Sequence, residues 1–205
     1  AREIRAKVLV DNTFATPILQ RPLEFGADIV LHSTTKYFGG HSDVQGGALI
    51  FAKKDEHSAS VDNNRRLLGA AASPFNSWLV LRGMRSLACR MRAHSANAMA
   101  VARALSTNPA VEAVHYPGLP SHAGHDVATK QMSDFGGMLS IRIKGGRERA
   151  IQVASRVKLF MNATSLGGVE SLIEHRASSE GKGSKTPENL LRLSIGLEHP
   201  EDLIE

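Results

Sequence analysis

The stretch Ser33-Thr34-Thr35-Lys36-Tyr37-Phe38-Gly39-Gly40-His41-Ser42-Asp43 follows directly after a short apolar run, Ile29-Val30-Leu31. A second apolar run, Val8-Leu9-Val10, ends in Asp11. Short, continuously apolar runs are typical of strands that are buried on both faces of a parallel sheet. Ligands of such sheets bind beyond the carboxyl ends of the strands, where Asp11 and Ser33–Lys36 fall. The two runs therefore predict a ligand site at one edge of an α/β sheet.

The composition suits a globular protein. The chain has 205 residues, of which 42% are hydrophobic, enough for one large domain or two small ones with a packed core. No apolar stretch approaches the roughly 20 residues of a membrane span, and no charged-then-apolar leader opens the sequence, so we expect no membrane partner. The single cysteine, Cys89, excludes an internal disulfide framework and a cysteine-based zinc site. It suits a reducing compartment, and we expect a cytoplasmic protein.

The charge is mildly positive. The formal net charge of +5, from 25 Lys and Arg against 20 Asp and Glu, suits anionic small-molecule ligands. Nucleic acid is the competing interpretation, and the densest basic stretch comprises Arg82, Arg85, Arg90 and Arg92. These arginines alternate with apolar residues at helical spacing, which indicates the solvated face of an amphipathic helix rather than a phosphate-tracking surface. We therefore expect no nucleic-acid partner.

The pattern predicts three segments. Residues 1–73 hold the apolar runs described above, together with Ala48-Leu49-Ile50-Phe51, and predict part of a parallel-sheet domain. Within this segment, His57–Ala72 has no clean period and predicts a loop with irregular helix. Residues 74–108 have a long helical pattern and predict a linking helix. Residues 109–205 alternate strand and helix patterns and predict a small α+β domain.

The third segment contains two alternating runs. Met138–Lys144 and Leu190–Ile195 alternate apolar and polar residues, which predicts strands of a small antiparallel sheet with one solvated face. In the second run this places Arg192 on the face opposite the packed residues. Arg147–Phe160 predicts a covering helix whose apolar stripe consists of Ile151, Ala154 and Val157.

Lys36 combines a reactive side chain with a context that suits phosphate. A lysine amine condenses with an aldehyde only when it is unprotonated, and burial at a strand end near positive groups lowers its pKa. The hydroxyls of Ser33 and Thr35, with nearby backbone N–H groups, can cradle a phosphate. Gly39-Gly40 lets the chain turn sharply and approach a ligand closely. Lys36 is therefore the candidate catalytic residue of a pyridoxal 5'-phosphate site; the alternative is a solvated loop lysine.

Three other residues could serve the same site. A carboxylate such as Asp11 can keep a pyridinium nitrogen protonated and so strengthen the ring as an electron sink; alternatively, it accepts hydrogen bonds from the turn Asn12-Thr13-Phe14. The planar fork of Arg192 matches a substrate carboxylate, although a surface arginine paired with Glu198 is the alternative. Ser165 is either a site residue or a plain loop hydroxyl.

His41 and Asp43 offer two metal-ligand side chains at close spacing. Two such residues without further ligands are a weak signal for a metal. We therefore expect a structural hydrogen-bonding role for them and no metal site.

Six blocks of the sequence, in the same order, resemble the cystathionine γ-synthase/γ-lyase family of pyridoxal-phosphate-dependent enzymes of cysteine and methionine metabolism. They are Val10–Pro17, Ser33–Asp43, Leu81–Leu87, His115–Leu119, Ser165–Leu172 and Leu191–Glu198. The resemblance covers essentially the whole chain. It implies the aspartate-aminotransferase-like fold, PLP fold type I: part of a large α/β domain with a parallel sheet, followed by a small α+β domain.

The resemblance also implies roles and partners. It makes Lys36 the Schiff-base lysine, Ser33 and Thr35 the phosphate ligands, Asp11 the partner of the pyridine nitrogen, and Ser165 and Arg192 the residues that orient the α-carboxylate of a small amino-acid substrate. Members of the family are usually homotetramers, built as dimers of dimers with shared active sites. Family chains are also much longer, so we expect this chain to be a carboxy-terminal segment whose missing amino-terminal half supplies a Gly-rich phosphate loop and a ring-stacking tyrosine.

The substrate is less well specified. The residue before Ser165 is usually acidic in the synthases and γ-lyases and tyrosine in the β-lyases, whereas here it is Thr164. Arg176–Gly181 departs from the family pattern near the region of substrate access, and Val169 with its neighbours favours the synthases and γ-lyases. We expect chemistry at Cγ (or Cβ) of a sulfur amino acid or an O-activated homoserine. The alternatives are cystathionine β-lyase, methionine γ-lyase, O-acetyl- or O-succinylhomoserine sulfhydrylase, or an incomplete fragment that acts only as an interaction module.

Overall fold

A computed structural model describes residues 2–4 and 6–205. The strands are β1 (Leu9–Asp11), β2 (Ile29–Ser33), β3 (Gly47–Phe51), β4 (Val111–His115), β5 (Met138–Ile143), β6 (Met161–Asn162), β7 (Leu172–His175) and β8 (Leu190–Ser194). The α-helices are α1 (Thr16–Leu19), α2 (Glu56–Leu67), α3 (Pro74–Arg85), α4 (Leu87–Thr107), α5 (His125–Gln131), α6 (Gly146–Arg156), α7 (Arg176–Glu180) and α8 (Pro200–Ile204). Two 3₁₀ turns, Arg2–Ile4 and Pro22–Phe25, and a wide π-type turn, Thr34–Phe38, complete the chain.

The first sheet has the order β1-β2-β3. As predicted, β1 and β2 are parallel, with Asp11 opposite Leu31. The prediction of a wholly parallel arrangement is wrong for β3, which pairs antiparallel with β2. The reason is the connection between them, which contains the π-type turn but no crossover helix to return the chain to the other end of the sheet.

The strands of this sheet differ in burial. The central strand β2 is largely buried, but β1 and β3 are sheet edges, with Leu9 52%, Leu49 44% and Ile50 38% exposed. The prediction that all three apolar runs are buried on both faces is therefore wrong for β1 and β3. Within the described residues, α2 covers part of β3, where the rings of Phe51 and His57 lie 6.2 Å apart, and much of the other apolar surface of β1 and β3 is left uncovered.

Helix α2 corrects a second prediction, because His57–Ala72 was expected to be irregular. The helix begins in a capping box: Asp55 Oδ1 accepts from Ser58 N at 2.9 Å, and Ser58 Oγ accepts from Asp55 N at 2.9 Å. Reciprocal capping of this kind stabilises a helix start even where the apolar period is weak.

The predicted long helix over residues 74–108 is in fact two helices, α3 and α4, separated at Ser86. The predicted solvated arginine face is confirmed for Arg82, Arg85 and Arg92, which are exposed, but is wrong for Arg90, which is 5% exposed. Its guanidinium donates to Ser86 Oγ at 3.0 Å and to Gly83 O at 2.8 Å. Arg90 therefore binds the chain at the α3–α4 junction instead of facing solvent.

The second sheet has the order β4-β5-β8-β7-β6 and is antiparallel except for the β6–β7 pair. It confirms the small antiparallel sheet predicted from the alternating runs: in β5 and β8 the buried apolar residues are Leu139, Ile141, Ile143, Leu191 and Leu193. They pack against α4 and α6. The predicted stripe on α6 is wrong in part, because Ile151 is 39% exposed and the helix ends before Val157. The buried positions are Ala150 and Ala154, one helical turn apart.

Helix α4 contributes to both hydrophobic cores. Its first half packs Leu87 and Met91 against Tyr37 and Phe38 of the π-type turn, and its second half packs Ala98, Val101 and Ala102 into the core of the second sheet. This long helix thereby fixes the turn that carries Lys36 relative to the β5–β8 pair. In the described part of the chain, no helix has the length and apolar character to cross a membrane.

Candidate active site

Lys36 lies in the π-type turn that directly follows β2. Its neighbours hold the turn in place, since Tyr37 is 1% and Phe38 7% exposed, and both belong to the core cluster formed with α4. Lys36 itself leaves the helical backbone, with φ −89° and ψ −129°. Its side chain is only partly buried. The buried residues therefore anchor the turn while the lysine side chain extends toward the loop that precedes β7.

The structure brings Lys36, Ser165 and Arg192 together. Lys36 Nζ donates to Ser165 Oγ at 2.9 Å, and Arg192 Nη2 donates to the Ser165 carbonyl at 3.1 Å. Ser165 has a φ of 153°, a conformation that is costly for a residue with a side chain and is typical of functional sites. The next turn of this loop lies directly on the lysine turn, because a Cβ on Gly167 would be 2.8 Å from Tyr37 N. Three residues far apart in the sequence thus share one site.

The environment of Lys36 favours its neutral form. Burial, and after it the positive charge of Arg192, lower the pKa of the Lys36 amine below that of an ordinary lysine, while the charge of Glu174 opposes them. A lowered pKa increases the unprotonated fraction at a given pH. Lys36 is therefore better suited to attack a carbonyl or to accept a proton than a solvated lysine is.

Arg192 is held by Glu174, a residue that the sequence reasoning missed. Arg192 Nη2 lies 2.9 Å from Glu174 Oε1, and Glu174 is 3% exposed. The alternative partner considered from the sequence, Glu198, instead accepts from Ser171 N at 2.6 Å and Ser171 Oγ at 2.8 Å. The pairing follows from the β7–β8 register, which puts Glu174 opposite Arg192. Had the register been known, the opposite charges at facing positions of these paired strands would have indicated the ion pair.

Asp11 and Ser33 are connected through Thr13. The Thr13 hydroxyl donates to Asp11 Oδ1 at 2.6 Å and accepts from Ser33 N at 2.9 Å, while Thr13 N also donates to Asp11 Oδ1 at 3.0 Å. The turn-acceptor alternative for Asp11 is thus present in the structure. Asp11 is exposed, and in the described part of the chain its Oδ2 makes no hydrogen bond. That oxygen can accept a bond from a protonated ring nitrogen.

Ser33 and Thr35 do not face one common cavity. Thr35 Oγ1 accepts from Gly46 N at 3.0 Å, and Thr35 lines a cavity of about 650 Å³ together with Ser165 and Glu170. Ser33 lines a different cavity of about 850 Å³, between the first sheet and α2. These two hydroxyls therefore do not form a closed phosphate cradle by themselves.

His41 bonds locally, with its Nδ1 2.9 Å from the Gly39 carbonyl oxygen. Among the residues that the structure describes, no three His, Cys, Asp or Glu side chains are grouped so that they could hold a metal ion.

The set of polar side chains at this site fits a phosphorylated pyridine aldehyde. It combines an amine with a lowered pKa, a carboxylate with a free oxygen at the end of the adjacent strand, and hydroxyls after β2. Arg192, which shares the partner Ser165 with the lysine, is suited to a carboxylate. These are the groups that covalent attachment of an aldehyde cofactor and binding of an amino acid need.

Comparison with known proteins agrees with this chemistry. Residues 1–205 match the family described as Cys/Met metabolism PLP-dependent enzyme. The chain is 52% identical over 206 residues to the cystathionine gamma-synthase of Mycobacterium tuberculosis, an alignment that covers 97% of this chain and 52% of that protein. It is 46% identical over 211 residues to the cystathionine beta-lyase of Coxiella burnetii, covering 99% of this chain and 54% of that protein. The chain spans about half the length of the curated relatives it matches.

Solved structures agree as well. The chain superposes on metB from Corynebacterium glutamicum with a TM-score of 0.93 at 48% identity, covering 97% of this chain and 53% of that one. For cystathionine gamma synthase from Xanthomonas oryzae in complex with cystathionine, the TM-score is 0.94 at 44% identity, covering 100% of this chain and 55% of that one. These matches confirm the predicted fold class, a part of PLP fold type I. The chain belongs to the PLP-dependent enzyme family of cysteine and methionine metabolism.

Proposed function

We propose that the protein to which this chain belongs is a pyridoxal-phosphate-dependent enzyme that acts at Cγ (or Cβ) of a sulfur amino acid or an O-activated homoserine. The observation that carries the proposal is the Lys36 amine, with its lowered pKa, hydrogen-bonded to Ser165 next to Arg192. Relatives named cystathionine gamma-synthase support synthase or γ-lyase chemistry. Those named cystathionine beta-lyase and methionine gamma-lyase keep these activities as alternatives.

Four residues of this chain would hold the cofactor. Lys36 would bind its aldehyde carbon, Asp11 its ring nitrogen, and Ser33 and Thr35 its phosphate together with groups from the other half of the protein. When bound, pyridoxal phosphate supplies a ring that stabilises negative charge at the substrate Cα. Asp11 supports this by keeping a positive charge on the ring nitrogen.

Lys36 is the proton-transfer residue in this proposal. When it is not bonded to the cofactor, Lys36 Nζ would accept the proton from the substrate Cα and later return a proton to the product. Ser165 Oγ, 2.9 Å from Nζ, holds the amine at the site during this step. Arg192 binds the α-carboxylate and so fixes which bond at Cα faces the amine.

The proposal also covers the domain boundaries, the cellular location and the assembly of the protein. We propose the domain division 1–73, 74–108 and 109–205, an amino-terminal half that completes the first sheet, a cytoplasmic location, and a homotetramer built as a dimer of dimers. The exposed edge strands β1 and β3 support the missing half, because apolar strand residues are normally covered. A small amino acid is the expected substrate, in agreement with the relatives' names.

The function is tested by product analysis with the full-length enzyme. An O-activated homoserine with cysteine, cystathionine alone, and methionine alone are supplied in parallel, and products are identified by mass spectrometry. We expect cystathionine from the first mixture or cleavage of the second, and loss of turnover in Lys36→Ala but not in Lys54→Ala, which alters an exposed lysine. Absence of turnover with all three, from a folded protein, would favour the interaction-module alternative.

A further inference from the structure

A ladder of alternating charges runs from the candidate site to helix α7. Arg192 Nη2 and Arg176 Nη1 each lie 2.9 Å from the same atom, Glu174 Oε1. Arg176 Nε continues the ladder to Glu180 Oε1 at 2.9 Å. Two guanidinium groups therefore share a single carboxylate oxygen at the edge of the substrate-binding region.

Glu174 needs this double contact because it is buried. It is 3% exposed, and a buried carboxylate is stable only when opposite charges and hydrogen bonds compensate for its lost hydration. Its two cationic partners are Arg192 and Arg176, and the Ser179 hydroxyl adds a long hydrogen bond to Oε2 at 3.5 Å. Any change that draws Arg192 away from Glu174 therefore costs free energy unless the second partner, Arg176, retains the carboxylate.

Arg192 also has fewer N–H groups left free to bind a substrate carboxylate than an unpaired arginine would have. Its Nη2 donates to the Ser165 carbonyl at 3.1 Å and forms an ion pair with Glu174 Oε1 at 2.9 Å, so this nitrogen already has two partners within the chain. A substrate carboxylate that binds two nitrogens of the fork would share or displace the bond to Glu174. Glu174 is thus a built-in competitor for Arg192.

Arg176 is prepared to take over the competing carboxylate. Glu180 orients it from the other side, and the Glu180 carboxylate is itself fixed by the hydroxyls of Ser184 at 2.5 Å and Thr186 at 2.7 Å. Arg176 is less buried than Arg192, with 31% against 18% of its side chain exposed. It can therefore keep Glu174 neutralised without taking part in substrate binding.

We propose that Arg176 is a positioning residue for the substrate-binding arginine: it holds the Glu174 carboxylate so that Arg192 can exchange that partner for the α-carboxylate of an amino-acid substrate. The inference rests on the proposed function and extends it, because it makes the affinity for the α-carboxylate depend on Glu174 and Arg176 as well as on Arg192.

The test measures binding of glycine, which carries an amine and an α-carboxylate but no side chain. The full-length enzyme with its cofactor is titrated with glycine, and the dissociation constant is read from the absorbance change of the cofactor. In Arg176→Gln, Arg192 is the arginine that remains paired with Glu174, so we expect the glycine Kd to rise by about fivefold. In Glu174→Gln the competitor is removed, and we expect the Kd to fall.

The double variant Arg176→Gln/Glu174→Gln tests whether Arg176 acts through Glu174 or attracts glycine directly by its charge. If Arg176 merely attracted glycine by its charge, Arg176→Gln would raise the Kd by the same factor with or without Glu174. If Arg192 instead exchanges Glu174 for the carboxylate of glycine, Arg176→Gln should no longer raise the Kd once Glu174 has been replaced by Gln. Arg142→Gln is the matched control, because Arg142 forms a 2.9 Å pair with Glu112 on the same sheet and has 36% of its side chain exposed. Arg176→Lys, which keeps the charge, is expected to recover much of the affinity if Arg176→Gln folds poorly.

The outcomes distinguish this inference from the proposed function. A wild-type enzyme that shows no cofactor absorbance change with glycine, and no adduct at Lys36, contradicts the proposed function. A wild-type enzyme that binds glycine, with equal Kd changes in Arg176→Gln and Arg142→Gln or with a raised Kd in Glu174→Gln, overturns the role of Arg176 and leaves the function in place.

Discussion

At the scale of single residues, the site depends on the balance of charges around Lys36. Arg192 and Glu174 act on the amine in opposite directions: the arginine lowers its pKa and the glutamate raises it, while burial contributes the largest lowering. The same two residues are bonded to each other at 2.9 Å. Substrate binding and the proton affinity of Lys36 are therefore coupled through one ion pair.

The first prediction concerns that coupling. In Arg192→Gln the positive charge that disfavours protonation is removed, so the pKa of Lys36 should rise; in Glu174→Gln it should fall. The measurement is the pH dependence of Lys36 acylation in the cofactor-free full-length protein, followed by peptide mass mapping, with Lys54 in the same sample as reference. Equal pH profiles for both variants would contradict the charge balance described here.

A second prediction concerns His94, which lies under the lysine turn. His94 is fully buried, its Nδ1 lies 2.7 Å from the Ile195 carbonyl, and burial lowers its pKa to about 4. The unfolded chain binds a proton near pH 6.5 and the folded one does not, so stability should fall as the pH drops from about 6.5 to 4, by about 3 kcal/mol. Urea titrations across this range should show a flatter pH dependence for His94→Asn than for the wild type or for His57→Asn, which alters an exposed residue.

At the scale of elements, α3 packs against the π-type turn that carries Lys36 with almost no space between the two backbones. Gly83 lies so close to the turn that an added Cβ would be 2.3 Å from the carbonyl oxygens of both Phe38 and Gly39. Since these are backbone atoms, no side-chain rotation can relieve the overlap. The position of the turn thus depends on one glycine of a neighbouring helix.

The third prediction follows from this contact. Gly83→Ala should destabilise the full-length protein by about 2 kcal/mol or more, in spite of the better helix propensity of alanine, because the helix and the turn must separate. Gly124→Ala is the control, since the nearest atoms to a Cβ there are 3.5 Å away on the flexible side chain of His122. Equal urea midpoints for the two variants would contradict the account of the turn.

The elements also show what the sequence can predict. The parallel β1–β2 pair and the β5–β8 strands were predicted correctly, because short continuous apolar runs indicate β1 and β2 and alternation of apolar and polar residues indicates β5 and β8. The antiparallel β3 and the separation of α3 from α4 were not, because they depend on a turn path and on contacts made by Gly83 and Arg90 across the fold. Local periodicity carries no information on such contacts.

For the site, the sequence indicated Lys36, Ser165 and Arg192, and the structure brings them together. It did not indicate Glu174, and it singled out Arg176 only within a stretch that departs from the family pattern, because the contacts of both residues follow from the β7–β8 register and from the bend into α7. Both features are set by tertiary packing rather than by local residue type.

At the scale of the whole molecule, the chain exposes surface that resembles an interior. Exposed apolar residues include Leu9 and Leu49 on the edge strands and Phe75 and Trp78 on α3, each between 44% and 65% exposed. Phe75 and Trp78 stack on each other with 6.0 Å between ring centroids, and exposed apolar clusters of this kind mark an interface. Together with coverage of about half of each relative's length, it supports a protein whose other half covers this surface.

The fourth prediction is that the 205-residue chain is stable only with that half. Produced alone, it should lack a sharp thermal transition and should associate, whereas the full-length protein should unfold cooperatively. Differential scanning calorimetry with light scattering makes the comparison. A cooperative transition of the isolated chain as a monomer would show that the exposed surface needs no cover.

The most direct test of the central claim is borohydride reduction of the full-length protein followed by peptide mass mapping. Reduction converts the bond between a lysine amine and a cofactor aldehyde into a stable amine, which marks the lysine that carries the cofactor. We expect a pyridoxyl adduct on the peptide that contains Lys36 and none on that peptide in Lys36→Ala. An adduct on another lysine, or no adduct in the presence of excess pyridoxal phosphate, would contradict the assignment of Lys36.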